Sequence, residues 1–398
     1  MNCDDRGRCN CKCDVIGDKC NACEVGHQGF PDCHEIASLR FLACNCSIAG
    51  SLGATCTPSG KCTCKKGYFG DKCDRCQSDF YKDLSGACLI GTKILIVSGS
   101  PDTDGRNMEI LDVENSSFSC KRLPLFPIKL RDATGALIGG ETPFICGGYD
   151  STYNRYSPYC YKLSQAGSWT QDPTARPRTP RRWAGYGSVI LNNHMVLSGG
   201  YGSSGHLRSI ELLTPGARST WLSVQLPTGI RLHCHVPWDS ETFMLIGGES
   251  GSNRYQTYLI NVKSNRYRTG PRLIDDRDDL ACAELQVLER TYIVVTGGDD
   301  GKGTRSTEVL DKSNIGQGWQ RGPNMMVGKY HHQMVSSPDK KVLYALGGAN
   351  DKKGIYKLTC SGAINTCRWT KTRTSLKYGR QDFVAIPIPN TLANKLCN

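Results

Sequence analysis

Residues 94–100 read ILIVSGS, 144–150 FICGGYD, 195–202 MVLSGGYG, 243–250 FMLIGGES, 292–300 YIVVTGGDD and 342–350 VLYALGGAN. Each is a short apolar strand that runs into a glycine pair. The first copy is degenerate, with Gly99-Ser100 in place of the pair. The leading glycines, Gly99, Gly147, Gly199, Gly247, Gly297 and Gly347, are spaced by 48, 52, 48, 50 and 50 residues. Self-similarity at that period marks a repeat architecture. A second mark keeps register: Trp169, Trp221, Trp319 and Trp369 each lie 21 residues beyond the second glycine, and Tyr267 lies 19 beyond it. The first repeat has Cys120-Lys121 where the aromatic should fall. A third mark is a basic residue 16–20 positions before the leading glycine: Arg131, Arg182, Arg231, Arg277 and Lys329. Arg380 holds the same place after the last repeat.

Between the marks lie β-branched and aromatic runs, such as IELL at 210–213 and EVLD at 308–311, separated by Gly, Asn, Asp and Pro. This is about four short strands per unit, with no helical stretch. Six such units predict an all-β, six-bladed β-propeller, because radial repetition protects the sheet edges. The glycines allow a tight turn after a buried strand. The tryptophans would fill the gaps between blades, where a large side chain buries most. The first unit lacks a strand before Ile94, and DFVAIPI at 382–388 has no glycine pair after it. Residues 382–388 are therefore expected to supply the inner strand of blade one. Apolar strand, glycine pair and distal Trp together resemble the kelch repeat, over residues 91–390, with 391–398 as a C-terminal tail.

The start of the chain differs in kind. Of 23 cysteines, 15 lie in residues 1–88, a density of about 17% that suggests a disulfide scaffold. The segment repeats internally. Cys56, Cys62, Cys64, Cys73 and Cys76 match Cys3, Cys9, Cys11, Cys20 and Cys23, with 5, 1, 8 and 2 residues between successive cysteines in both copies. The second copy is complete, from Cys44 to Cys88, and spacing alone leaves its connectivity open. With Gly70 and Phe80 in place it resembles the laminin-type EGF-like module. That resemblance implies the pairs Cys44–Cys56, Cys46–Cys62, Cys64–Cys73 and Cys76–Cys88, in a complete module over 44–90. It implies Cys11–Cys20 and Cys23–Cys33 in a partial module over 1–33, leaving Cys3, Cys9 and Cys13 as an odd set. Cys20-x-x-Cys23 and Cys73-x-x-Cys76 also have zinc spacing, but Cys-x-Cys steps and Gly-aromatic turns speak against zinc.

Among the later cysteines, Cys360 and Cys367 flank a six-residue hairpin and are expected to pair. Cys146 with Cys160, Cys234 with Cys282, and Cys120 with Cys397 are open possibilities. A disulfide-rich segment points outside the cell, yet MNCDDR lacks the start of a signal peptide. The expectation is the C-terminal part of a longer secreted or anchored chain, without a membrane span in this part, since no run of about 18 apolar residues occurs.

No nucleophile elbow, phosphate loop or His-Glu-x-x-His is present, so the expectation is no enzyme and no cofactor. His233, His235, His331 and His332 fall in predicted inner strands, where packing and hydrogen bonding outweigh a metal. A galactose-oxidase-like propeller enzyme is an alternative, but the further domain that supplies copper in that family has no counterpart here. A cytosolic kelch adaptor conflicts with the disulfides.

Residues 1–90 are charge-neutral, so the net +12 belongs to the repeats. Repeat symmetry places Arg131, Arg182, Arg231, Arg277, Lys329 and Arg380 on one face. Arg176, Arg178, Arg181 and Arg182 add a basic loop, RPRTPRRW. These nine residues are the candidate binding face. The competing expectation is that the once-per-repeat cations are hydrogen-bonded within the fold. The combination of modules is similar to the attractin and multiple-EGF-domain family, which implies adhesion, receptor or matrix work. A cell-surface or matrix protein is the expected partner, with heparan-sulfate-like glycans as the alternative and nucleic acid excluded by compartment. Asn45 and Asn115 head glycosylation sequons; Asn115, in a turn, is the better acceptor.

Overall fold

A computed structural model describes residues 44–398 except 78–79, 83–87, 102–104, 116–117, 121–122, 186, 188, 252–253, 299–302 and 398. Before residue 44 it describes only the backbone of six two-residue strands. Cys3, Cys9, Cys11, Cys13, Cys20, Cys23 and Cys33, and the pairs expected among them, therefore lie outside the described side chains. The chain divides into two compact units, 1–77 with 82–88, and 78–81 with 89–398.

In the first unit, Ser51–Cys56 pairs with Cys62–Cys64 and Tyr68–Phe69 pairs with Arg75–Cys76. The N-terminal backbone repeats this register 53 positions earlier. Cys3 faces Cys9 as Cys56 faces Cys62, and Val15 faces Cys23 as Tyr68 faces Cys76. Disulfides link Cys44–Cys56, Cys46–Cys62, Cys64–Cys73 and Cys76–Cys88. They substitute for an apolar core that a segment this small cannot build. Tyr68 is the largest buried side chain among the described residues of the unit, and its hydroxyl accepts from Cys88 N at 2.9 Å. Gly50 packs so closely that a Cβ would lie 1.9 Å from Cys73 O.

Among the described residues the second unit has six principal antiparallel sheets, with shorter two- and three-stranded sheets beside them. Five take consecutive strands in chain order and have four each. The second sheet, for example, is Thr134–Ile138, Thr142–Cys146, Cys160–Leu163 and Trp169–Asp172. The first sheet is different. Lys93–Val97 lies between Met108–Asp112 and Val384–Ile388, so its two edges come from opposite ends of the unit. Burial falls outward within a sheet. Thr242–Ile246, second in the fourth sheet, is buried throughout, while the outermost strand Arg266–Thr269 is exposed throughout. Second strands such as this one are the apolar runs that precede the glycine pairs.

The glycine pairs lie in the left-handed region, as at Gly347 (φ 55°) and Gly348 (φ 79°). A Cβ on Gly348 would come within 2.5 Å of the His332 Cβ. In the first sheet the pair is Ser98-Gly99 rather than Gly99-Ser100, with φ 63° and 100°. Hydrogen bonds set this register. Gly99 N donates to Leu130 O as Gly148 donates to Arg181, Gly200 to Ile230, Gly248 to Arg277, Gly298 to Lys329 and Gly348 to Arg380.

Two residues beyond each of those acceptors the backbone turns left-handed again, at Asp132, Trp183, Leu232, Asp279, His331 and Asp382. These positions are linked from sheet to sheet. Asp279 N donates to Leu232 O, Leu232 N to Trp183 O, Trp183 N to Asp132 O, Asp132 N to Asp382 O and Asp382 N to His331 O. Neighbouring sheets are also joined by the aromatic marks. The indole of Trp169 meets Met108 of the first sheet, Trp319 donates to Pro271 O, and Trp369 donates to Thr307 of the fifth sheet.

The tail corrects the expectation of no helix. Asn390–Cys397 is an α-helix whose Leu392, Ala393 and Leu396 are buried. Spacing of i, i+1 and i+4 gives it one apolar face. That face packs into a cluster with Leu95, Val97, Ile110 and Phe126.

Candidate functional site

The recurring basic residue proves to be two different positions. Arg181, Arg277, Lys329 and Arg380 occupy the first, and each is fully buried. Arg277 is the fullest case. It bonds Glu308 at 3.0 Å, Gly297 O at 2.6 Å and Ser306 O at 3.0 Å, all within the fifth sheet. Arg380 reaches Glu109 at 2.9 Å, Ser98 O at 2.8 Å and Asn107 O at 3.0 Å. Arg181 pairs with Glu211 and bonds Gly199 O and Ser209 O. Each glutamate also takes a backbone N–H from three residues before its arginine: Lys377, Arg178 or Ile274. Burial pulls all three arginines below their ordinary range, against the glutamate charges. Among the described residues Lys329 makes no direct ion pair; the carboxylate nearest in effect is Asp351, which is held by Lys371 and Tyr356. The lysine donates to Gly347 O and Asp351 O, lies 5.2 Å from the Tyr356 ring centre, and burial brings its pKa down to about 8. These four cations stitch each sheet's loop to its own third strand and offer no charge to a partner. The first position is apolar in the other two sheets, as Leu130 and Ile230.

The second position is the next residue, and it faces outward. Arg131, Arg182 and Arg231 pair across short bridges with Tyr149, Tyr201 and Glu249, the residues that follow the glycine pairs. The equivalent pairs in the sixth and first sheets are Tyr330 with Ala349 and Gln381 with Ser100. The outward cations are thus confined to the second, third and fourth sheets. They alternate with aromatic rings. Arg131 lies 5.0 Å from the Tyr149 ring centre, and Arg182 lies 5.1 Å from Tyr149 and 3.6 Å from Trp183. Arg231 lies 4.7 Å from Trp183 and 5.1 Å from Tyr201. Edge-to-face contacts continue the cluster through Tyr149–Tyr156, Tyr156–Tyr201 and Tyr201–His206.

The RPRTPRRW loop does not present one basic cluster. Arg181 points into the third sheet and Arg182 joins the aromatic row. Arg176 stacks near Tyr159 and Arg178 near Trp221, on the second and third sheets respectively.

Beneath the row, His331 Nδ1 lies 2.9 Å from Asp279 and 2.8 Å from Asp382. Burial opposes its charge, but the two neighbouring aspartates together push its pKa up to about 11. Asp132 is buried beside them, and burial first, then Asp382, raises its pKa well above the usual range. Burial holds three other histidines, His233, His235 and His332, below the ordinary imidazole range. His233 and His332 accept or donate to Ser198 and Thr296 at 3.0 Å, and His235 bonds Gly187 O at 2.9 Å. Burial lowers His235 to about 4 and His332 to about 3. Among the described residues no group of three or more His, Cys, Asp or Glu is arranged to hold a metal. A cavity of about 300 Å³ is lined by His235, Glu284, Gln333 and Lys340, among others. Its one carboxylate, Glu284, is neutralised by Lys312 at 2.6 Å and Lys340 at 2.5 Å.

The remaining cysteines bond as Cys120–Cys397, Cys146–Cys160, Cys234–Cys282 and Cys360–Cys367. Cys234–Cys282 joins the inner strands of the fourth and fifth sheets. Sequence reasoning left the partners of six of these eight open, because only the fold brings them together. Asn45 and Asn115 are both exposed.

Residues 1–37 and 44–88 match the laminin EGF domain model. The N-terminal segment is of the laminin EGF type. Curated relatives include laminin subunit alpha-3 of Homo sapiens, 34% identical over 88 residues, which are 19% of this chain and 3% of that protein. Laminin subunit gamma-2 of Equus caballus is 40% identical over 81 residues, 20% of this chain and 7% of the relative. Usherin of Mus musculus is 40% identical over 85 residues, 21% of this chain and 2% of the relative. The chain thus spans under a tenth of the length of these relatives. The laminin EGF region and its eight disulfide-bonded cysteines at 44–88 indicate an extracellular protein, and no helix among the described residues is long and apolar enough to cross a membrane.

Proposed function

We propose that the chain is a non-enzymatic interaction module of an extracellular protein. In this reading residues 1–33 and 44–90 are laminin-type EGF-like modules, 91–390 are a six-bladed kelch propeller of the attractin and multiple-EGF-domain kind, and 391–398 are a helical tail. The sheet-to-sheet bonds through Asp132, Trp183, Leu232, Asp279, His331 and Asp382, with a first sheet closed by Val384–Ile388, support the propeller. The observation that carries the binding role is the row of Arg131, Arg182 and Arg231 with Tyr149, Trp183 and Tyr201. Arg, Trp and Tyr are the residue types that concentrate binding energy at protein interfaces. The row lies beside the turns that follow the glycine pairs, so loops of three consecutive blades meet there.

Two measurements test this reading. A non-reducing peptide map of secreted protein should contain Cys44–Cys56, Cys64–Cys73 and Cys76–Cys88. Solid-phase binding to cell-deposited matrix should then survive heparinase treatment. Free thiols in the secreted protein would sink the extracellular assignment, and absence of binding to matrix or cell surface would sink the adhesion role. The exposed Arg176 and Arg178 favour one second reading, a sulfated-glycan site. It predicts heparin retention that falls with salt and weakens when both are changed to Gln.

A further inference from the structure

We propose that the arginine–aromatic row is a receptor for carboxylates, and that its occupant is an acidic, extended segment of a protein partner. The inference rests on the protein-interaction reading above and specifies the chemistry of that site. Three features of the row select the ligand.

First, the ring faces are already taken. Guanidinium groups cover Tyr149 and Trp183, each approached by two arginines. A neutral sugar stacking on either ring would have to compete with these arginines for it. Second, a guanidinium stacked on a ring keeps its N–H groups in the plane, pointed past the ring edge, where a carboxylate can take two at once. Arg231 spends Nε and Nη2 on Glu249 Oε2. The Arg182 guanidinium stands 3.7 Å from Asp132, beyond hydrogen-bond length. Third, these cations are recessed. Their side chains are 18% exposed at Arg182 and 23% at Arg231. A Glu or Asp side chain is narrow enough to reach them. Sulfates fixed along a stiff polysaccharide would meet the more exposed Arg176 and Arg178 first.

The charge balance of the repeats agrees, because the whole +12 lies beyond residue 90. The restraint on the arginines matters as well. Held between rings, they lose little further freedom when a ligand binds, so more of the contact energy appears as affinity. The row crosses three sheets, which calls for an extended segment with several acidic residues rather than a single free carboxylate.

The test is fluorescence anisotropy with the full chain and a fluorescein-labelled oligoglutamate peptide. Arg182→Gln with Arg231→Gln should weaken binding at least roughly tenfold, the loss expected for charge-assisted hydrogen bonds. Arg182→Lys keeps the charge but not the stacked fork, and should fall with it. Arg266→Gln with Arg268→Gln removes two exposed charges from an outer strand and should leave affinity within about twofold. If the double variant at 182 and 231 fails to fold, Arg231→Gln is read alone. The proposal is overturned if the unchanged chain does not bind the peptide. It is overturned if the 266/268 control loses as much, since bulk charge then explains the binding. It is also overturned if a heparin oligosaccharide displaces the peptide and both depend on Arg176 and Arg178 instead. Matrix binding that persists in the 182/231 variant would leave the interaction role standing while removing this site from it.

Discussion

Arg277 and Lys329 hold equivalent places and differ in what faces them. Arg277 is opposed by the buried Glu308, whereas Lys329 meets carbonyls and a tyrosine ring. Arg277→Met would leave Glu308 buried with backbone N–H bonds but without its opposing charge, and a broken buried pair costs about 3–5 kcal/mol. Lys329→Met leaves Asp351 paired with Lys371 and Tyr356 and should cost about 1–3 kcal/mol, the loss of its hydrogen bonds. Urea unfolding of the two variants measures the difference; equal losses would contradict the account. The buried histidines set an acid limit. His233, His235 and His332 stay neutral in the fold far below the pH at which an unfolded chain protonates them. The unfolded state therefore binds more protons between about pH 6.5 and pH 4, and stability falls with pH there, by up to about 4 kcal/mol per pH unit for three such groups. Urea midpoints across that range check it, and His332→Gln should make the decline shallower. At this scale the sequence announced a basic residue in every repeat but not which way it pointed. Arg181 and Arg182 are adjacent, one buried beside Glu211 and the other stacked on Trp183, and no spacing rule separates them. The glutamates were the missed signal: Glu109, Glu211 and Glu308 recur in the third strand of three repeats and mark the inward arginines.

The glycine pair is the element on which each sheet depends, and it was the most legible feature of the chain. Its turn needs two left-handed residues with a neighbouring backbone packed against them, which few sequences other than Gly-Gly allow. Gly348→Ala would push a methyl to 2.5 Å from the His332 Cβ in a left-handed conformation, and should cost about 2 kcal/mol or more. Thermal melting of the variant tests this, with Gly216→Ala, where no atom lies within 4 Å, costing only the backbone strain. The first copy shows the limit of reading by pattern. Gly99-Ser100 looked like a pair with its second member lost, yet Ser98 is the substituted member, held at φ 63° with its hydroxyl donating to Gly105 O. The helix Asn390–Cys397 escaped notice because eight residues carry little periodicity. Its stability comes from Leu392, Ala393 and Leu396 packed on the first sheet's cluster, a tertiary gain invisible in local sequence.

At the scale of the whole molecule, the repeats open and close on the same sheet. Val384–Ile388 is locked to Lys93–Val97 by five residue pairs, and Arg380 reaches Glu109 across the same sheet. Cys120–Cys397 adds a covalent tie over a separation of 277 residues. A cross-link over a loop that long stabilises by about 5 kcal/mol in the chain-entropy view. Cys120→Ser with Cys397→Ser should lower the melting temperature while leaving the circular dichroism spectrum unchanged. Cys360→Ser with Cys367→Ser, which opens a loop of 7, should shift melting less. The order would be reversed if the local hairpin, and not the joining of the two ends of the repeats, controlled stability. The arrangement also has a consequence in time. Lys93–Asp112 leaves the ribosome long before its partner strand exists, separated from it by roughly 270 residues, or about 15–55 s of synthesis at ordinary elongation rates. Through that interval a strand that the fold buries throughout has one edge unclaimed, so mispairing of that edge competes with the native partner for as long as synthesis lasts.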